Sequence, residues 1–174
     1  MPIQAFSFRV KSLNDQGQFS GLASTYGNTD EQGDVVLPGA FARTLAEKGK
    51  QRPLLWQHKD PIGLVTLRDS PAGLLADGQL SMGLQLAKDA YVLLKDGVVR
   101  GMSIGFQTVR DEISNGVRQL QELKLFEVSL VTFAANEMAT VTSVKSLQLD
   151  EISRAARELR AFYKSITTGE SHHA

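Results

Sequence analysis

Apolar and polar residues alternate in a series of short runs, and clusters of Gly, Asn, Asp or Pro cut each run off. This pattern constrains the chain more than any other feature, because a period of two belongs to strands with one buried face. Phe6, Phe8 and Val10 alternate with Ser7, Arg9 and Lys11, and Asn14-Asp15-Gln16-Gly17 turns the chain so that residues 19–26 can return as a hairpin partner. A polar loop over 27–33 leads to a short apolar strand at 35–37. Residues 52–57 and 62–68 read as two strands around a tight His58-Lys59-Asp60-Pro61 corner, and 74–86 continues the pattern. Residues 98–110 and 117–132 flank Ser114-Asn115-Gly116, and Asn-Gly between two such runs is a strong hairpin signal. A last strand is expected at 141–144.

Helices interrupt this series. Pro38 opens one over 39–48 that Gly49 closes. Ala87, Ala90, Tyr91 and Leu94 mark a second over 87–96, stopped by Gly97. Asp150 caps a third, whose stripe of Ile152, Ala156, Leu159, Tyr163 and Ile166 predicts packing on the sheet or on a second copy. The expected organisation is a domain over 1–146, an amphipathic helix of the same domain over 147–166 and a flexible tail over 167–174. Many short strands and few helices give a mainly β fold with flanking helices, an α+β chain with a closed or nearly closed sheet.

Composition removes several functions. With 174 residues the chain can bury a core without disulfides or a structural metal. It has no cysteine, which excludes thiol nucleophiles and thiolate metal sites and fits a reducing compartment. The 19 basic and 19 acidic residues cancel, so nucleic acid is not an expected partner. No apolar run reaches the roughly 20 residues of a membrane span, and no secretory leader is expected. No calcium loop, zinc-ligand spacing or phosphate loop is present; Asp30, Glu31 and Asp34 read as a polar turn, and no cofactor or metal is expected.

Three residues stand out as candidates for chemistry. Two of the three histidines lie in the last three positions, so imidazole chemistry falls on His58, at the end of the apolar Leu54-Leu55-Trp56 run. An imidazole is the usual activator of a serine near neutral pH, although an isolated histidine is more often a surface residue. Ser103 lies in Gly101-Met102-Ser103-Ile104-Gly105-Phe106, where Met102, Ile104 and Phe106 take one face and Ser103 and Gly105 the other. A small hydroxyl beside glycine is accessible to a substrate backbone, yet the same alternation fits a serine on a solvent face. Glu127 sits within Leu125-Phe126-Glu127-Val128, where a buried carboxylate needs a partner. That partner is either an imidazole to orient or an arginine, unless the residue is a glutamate on the outer surface of the sheet. Ser129 is a rival nucleophile.

Together, over residues 6–146, these segments resemble the prohead proteases of HK97-type tailed phages. The resemblance is carried by Phe19-Ser20-Gly21-Leu22-Ala23-Ser24 with Asp30, by Gly33-Asp34-Val35-Val36 and Pro38-Gly39-Ala40-Phe41, and by Leu55-Trp56-Gln57-His58 with Pro61-Ile62-Gly63. Gly101-Met102-Ser103-Ile104-Gly105-Phe106, Glu127-Val128-Ser129-Leu130-Val131 and Ala135-Asn136 complete it. That family is related in fold to the herpesvirus assemblins, whose β-barrel is surrounded by helices. The resemblance implies a serine endopeptidase with Ser103 as nucleophile, His58 as general base and Glu127 where assemblins carry a second histidine. Where assemblins place oxyanion-stabilising arginines this chain has Phe133-Ala134-Ala135-Asn136, and family members often carry proline where Ala135 stands. The implied substrates are phage scaffold, or a scaffold segment of the major capsid protein, and the protease itself, inside the procapsid in the host cytoplasm. A homodimer is implied too. The competing readings are an inactive capsid-assembly module of the same fold and an unrelated β-barrel ligand-binding domain.

Overall fold

The computed structural model of the protein describes residues 16–136 and 138–143. The strand expected at 6–10, the helix at 147–166 and the tail at 167–174 lie outside them. The described chain runs β1 (Gln18–Thr25), β2 (Asp34–Val36), α1 (Ala42–Lys48), β3 (Gln51–Trp56), β4 (Asp60–Ser70), β5 (Gly73–Leu80), α2 (Gln85–Lys95), β6 (Gly101–Ser114), β7 (Val117–Val131) and β8 (Val141–Ser143). It is mainly β: the eight strands form one curled sheet, with two short helices against it.

The sheet order is β2-β7-β3-β4-β5-β1-β8, and β6 also pairs with β7. Five of the seven pairings are antiparallel, and three of these, β3–β4, β4–β5 and β6–β7, are joined by short turns. The exceptions both lie on β7. Asp34–Val36 runs parallel to Arg118–Leu120, and Leu54–Trp56 runs parallel to Val128–Leu130. Because β6 occupies one edge of β7, β2 and β3 share the other edge in succession. The two margins of the sheet then meet across Ala139–Val141. Leu22 N–H donates to Thr140 O (2.9 Å), Met102 N–H to Ala139 O (2.8 Å) and Val141 N–H to Arg100 O (3.0 Å). The curl wraps a core that includes Phe19, Leu54, Leu67, Leu74, Leu80 and Met102, all nearly or wholly buried.

Local chemistry sets the turns. Ser114 and Val117 pair directly across Asn115-Gly116, both with positive φ (53° and 79°), which is the type I′ geometry whose twist suits a two-residue hairpin. The first helix begins three residues later than its sequence pattern predicts. Gly39 has φ +86°, and Ala40 N–H and Ala42 N–H bond to Leu37 O and Gly39 O, so the chain turns before helical bonding starts at Leu45 N–H to Phe41 O. Phe41 is fully buried there and stacks on Tyr26, with ring centroids 6.1 Å apart. The second helix begins two residues earlier than expected, with Lys88 N–H bonded to Leu84 O, and buries Ala87, Ala90 and Leu94. The strand expected over 74–86 stops at Leu80, where Ser81 N–H crosses to Ile62 O and a turn follows.

Arg52 fastens the helical layer to the sheet. Only 6% exposed, its guanidinium donates to the carbonyls of Thr44 (3.1 Å), Lys48 (3.3 Å) and Gly49 (2.9 Å) at the end of α1, and to Leu125 O (3.0 Å) on β7 and Gln51 O (2.7 Å). The carboxyl-terminal end of a helix is partially negative, so the cation is well placed. Burial pulls its pKa down from the usual guanidinium range. Arg52→Ala leaves these carbonyls without their donor, and is expected to cost about 2–3 kcal/mol of unfolding free energy, the worth of hydrogen bonds to a charged group. Urea unfolding checks this; an unchanged midpoint would show that water replaces the guanidinium without loss.

Candidate functional site

Glu127 reaches the site through a bulge. Along β7, Leu123 and Leu125 are buried, and then Val128 and Leu130 are buried, so the core-facing parity switches from odd to even. The switch occurs where Gly105 pairs with Glu127 but Phe106 pairs with Leu125, leaving Phe126 as the extra residue. One inserted residue turns every following side chain to the other face. Glu127 and Ser129 therefore leave the core face on which an unbroken alternation would have put them. On the neighbouring strand Ser103 lies opposite Ser129 and Gly105 opposite Glu127, so these four positions share one face.

His58 arrives from the other side. The parallel β3–β7 ladder extends past Trp56 through Gln57 N–H to Leu130 O (3.0 Å), then turns sharply, with Lys59 N–H bonded to Trp56 O (3.0 Å). Gln57 and His58 both have positive φ, 52° and 60°. Residues with a Cβ seldom take this left-handed conformation, and where they do the surroundings hold them in it. Here the hold is explicit. His58 N–H donates to Ser129 Oγ (3.1 Å), and Gln57 Nε2 donates to Thr132 Oγ1 (3.0 Å).

The result joins two of the three residues singled out in the sequence. His58 Nδ1 lies 2.7 Å from Glu127 Oε1. The Glu127 side chain is 12% exposed and that of His58 44%, so the carboxylate is enclosed while the ring opens to solvent. A carboxylate only accepts, so in the neutral imidazole the Nδ1 proton lies in this bond and Nε2 carries the lone pair. Ser103 is half-buried on the same face. Among the described residues, neither its hydroxyl nor His58 Nε2 makes a hydrogen bond. A cleft beside Ser103 is lined by Ile104, Phe106, Asp30, Gln32 and Asn136.

The other residues noted in the sequence take structural places. Ser129 is fully buried, with its hydroxyl donated to Glu127 Oε2 at 2.7 Å, so it is no accessible nucleophile. The arginine partner considered for Glu127 is absent from its contacts among the described residues. Asp30 Oδ1 accepts the main-chain N–H groups of Gln32 and Asp34 at 2.9 Å, as a polar turn should. Asn136 shares hydrogen bonds with Thr25 and Asn28 and shapes the rim of the cleft. The bulge at Phe126 was not anticipated from sequence. The break from odd to even apolar positions between Leu125 and Val128 is the signal that carries the bulge.

A family profile described as caudovirus prohead serine protease matches residues 6–154. Among curated proteins, the prohead protease of Enterobacteria phage HK97 is 38% identical over 141 residues, covering 76% of this chain and 62% of that protein. The capsid polyprotein of Pseudomonas phage PAJU2 is 36% identical over 171 residues, covering 89% of this chain and 24% of that protein. The prohead protease of Escherichia phage T5 is 27% identical over 150 residues, covering 79% of this chain and 70% of that protein. The chain thus spans less than two thirds of the length of the first two. No solved structure matches.

Proposed function

The chain belongs to the caudovirus prohead serine protease family, and from that premise we propose that it is a serine endopeptidase with Ser103 as nucleophile, His58 as general base and Glu127 as the carboxylate that orients the base. The observation that carries this reading is the 2.7 Å contact of His58 Nδ1 with Glu127 Oε1, on the face that Ser103 shares. The mechanism is acyl transfer. Ser103 Oγ attacks the substrate carbonyl as His58 Nε2 takes its proton, and Glu127 stabilises the resulting cation. The imidazolium returns that proton to the leaving amine, the C–N bond breaks, and water attacks the acyl-enzyme through the same base. Backbone N–H groups near Ser103 cradle the oxyanion, each good donor contributing about 3–4 kcal/mol.

The proposed substrates are phage scaffold or a scaffold segment of the capsid protein, and the protease itself. A relative named a capsid polyprotein supports a capsid substrate: this chain matches only 24% of it, so a segment like this one lies within a longer protein. The proposed place of action is the assembling procapsid in the host cytoplasm, and no helix among the described residues is long and apolar enough to cross a membrane. The proposal extends to a herpesvirus-assemblin-like barrel, which the curled sheet with outlying helices supports, and to a homodimer, which rests on the family resemblance.

Cleavage assays on purified capsid or scaffold protein test the roles. Ser103→Ala is expected to keep the circular dichroism spectrum and melting point of the parent and to lose cleavage by several orders of magnitude. Near-parental cleavage by Ser103→Ala would remove it as nucleophile, and a parent protein that binds but never cleaves would favour the inactive assembly module. Glu127→Gln is expected to fall less far than loss of Ser103 or His58, because the amide still holds a ring nitrogen, and by no more than the roughly 10⁴-fold seen when an orienting acid becomes an amide. A Glu127→Gln enzyme equal to the parent would take Glu127 out of the mechanism.

A further inference from the structure

The two oxygens of Glu127 have separate partners. Oε1 faces His58 Nδ1 at 2.7 Å, and Oε2 accepts the hydroxyl proton of Ser129 at 2.7 Å. The same hydroxyl accepts the main-chain N–H of His58 at 3.1 Å. A serine hydroxyl has one proton to give, and this one goes to the carboxylate. Ser129 is 0% exposed, so water does not compete for it. The bonds close a ring: imidazole to carboxylate, carboxylate to hydroxyl, hydroxyl back to the main chain that carries the imidazole.

From this ring we infer that Ser129 is the positioning residue of the His58–Glu127 pair, a role whose kinetic consequence rests on the proposed Ser103 mechanism. A glutamate held by one hydrogen bond keeps torsional freedom along its side chain. A second anchor on the same carboxylate removes that freedom and aims Oε1 at the ring. The bond to His58 N–H also holds the left-handed turn that brings the ring over the sheet. Gly105 supplies the opposite wall. A Cβ there would stand 2.3 Å from Glu127 Oε1 and 2.9 Å from its Cδ, so the carboxylate occupies space that only glycine leaves open. Ser129 pulls the carboxylate into place from within its own strand, and Gly105 on β6 makes the place available.

Two full-length variants approach the carboxylate from opposite sides. Ser129→Ala removes the anchor. Gly105→Ala pushes the flexible end of Glu127 aside and breaks no main-chain bond. Each is expected to lower kcat roughly 100-fold with KM within about twofold of the parent, since misplacement by about an ångström costs that much. The second readout is the proton NMR signal of His58 Nδ1–H, recorded in a Ser103→Ala background so that it does not depend on catalysis. It is expected far downfield and sharp with Ser129 and Gly105 in place, and lost to exchange in either variant. An unchanged Nδ1 proton signal or an unchanged kcat in folded Ser129→Ala protein would overturn the assignment. Should Ser129→Ala not fold, Ser129→Cys, close in size but a weak donor, decides by the same two readouts. If the parent itself proves inactive, the protease reading fails while the proton signal still decides the role of Ser129.

Discussion

A carboxylate set into the wall of a sheet must be given partners, and the rest of the site is arranged around that need. An unpaired Glu127 with 12% exposure would cost at least about 1–3 kcal/mol, the penalty for a buried polar group left without a hydrogen bond. Its partners are His58, which arrives from the turn after β3, 69 residues earlier, and Ser129, two residues along its own strand. Satisfying Glu127 therefore ties β3 to β7 beyond their three ladder pairs and fixes the path of the chain after Trp56.

Three departures from regular geometry make this possible. The bulge at Phe126 turns Glu127 and Ser129 away from the core. The left-handed residues Gln57 and His58 fold the end of β3 back over the sheet. The bare backbone at Gly105 leaves room for a carboxylate where any other residue would fill the space. Bulges and positive φ values cluster where a fold gives up stability to place a side chain, and here all three serve one carboxylate–imidazole pair. The regular parts of the sheet make the placement dependable: the long β6–β7 hairpin carries Ser103 opposite Ser129, and Arg52 braces β7 from behind through Leu125 O.

Much of the fold was legible because alternation and turn residues are local signals. Asn115-Gly116 marked its hairpin, and Ala87, Ala90 and Leu94 marked the buried side of α2. Helix starts were less legible: Gly39 and Ala40 belong to a turn closed by Ala40 N–H to Leu37 O, and Leu84 rather than a polar cap precedes α2. The parallel pairing of β3 with β7 was invisible, since nothing local encodes a partner some 70 residues away. The candidate site follows the same division. His58, Ser103 and Glu127 were legible as residue types in suggestive settings. The bond between His58 and Glu127, and the use of Ser129 as an anchor rather than a nucleophile, depend on that long-range pairing and on the bulge.

The most direct measurement is a crystal structure of the full chain after reaction with a peptidyl phosphonate whose peptide copies a capsid-protein segment. The expected result is continuous density from phosphorus to Ser103 Oγ, His58 Nε2 within hydrogen-bonding distance of the adduct, and Nδ1 still on Glu127. An adduct on any other residue, or one on Ser103 with the His58 ring turned away from it, would rule out Ser103 and His58 as nucleophile and base.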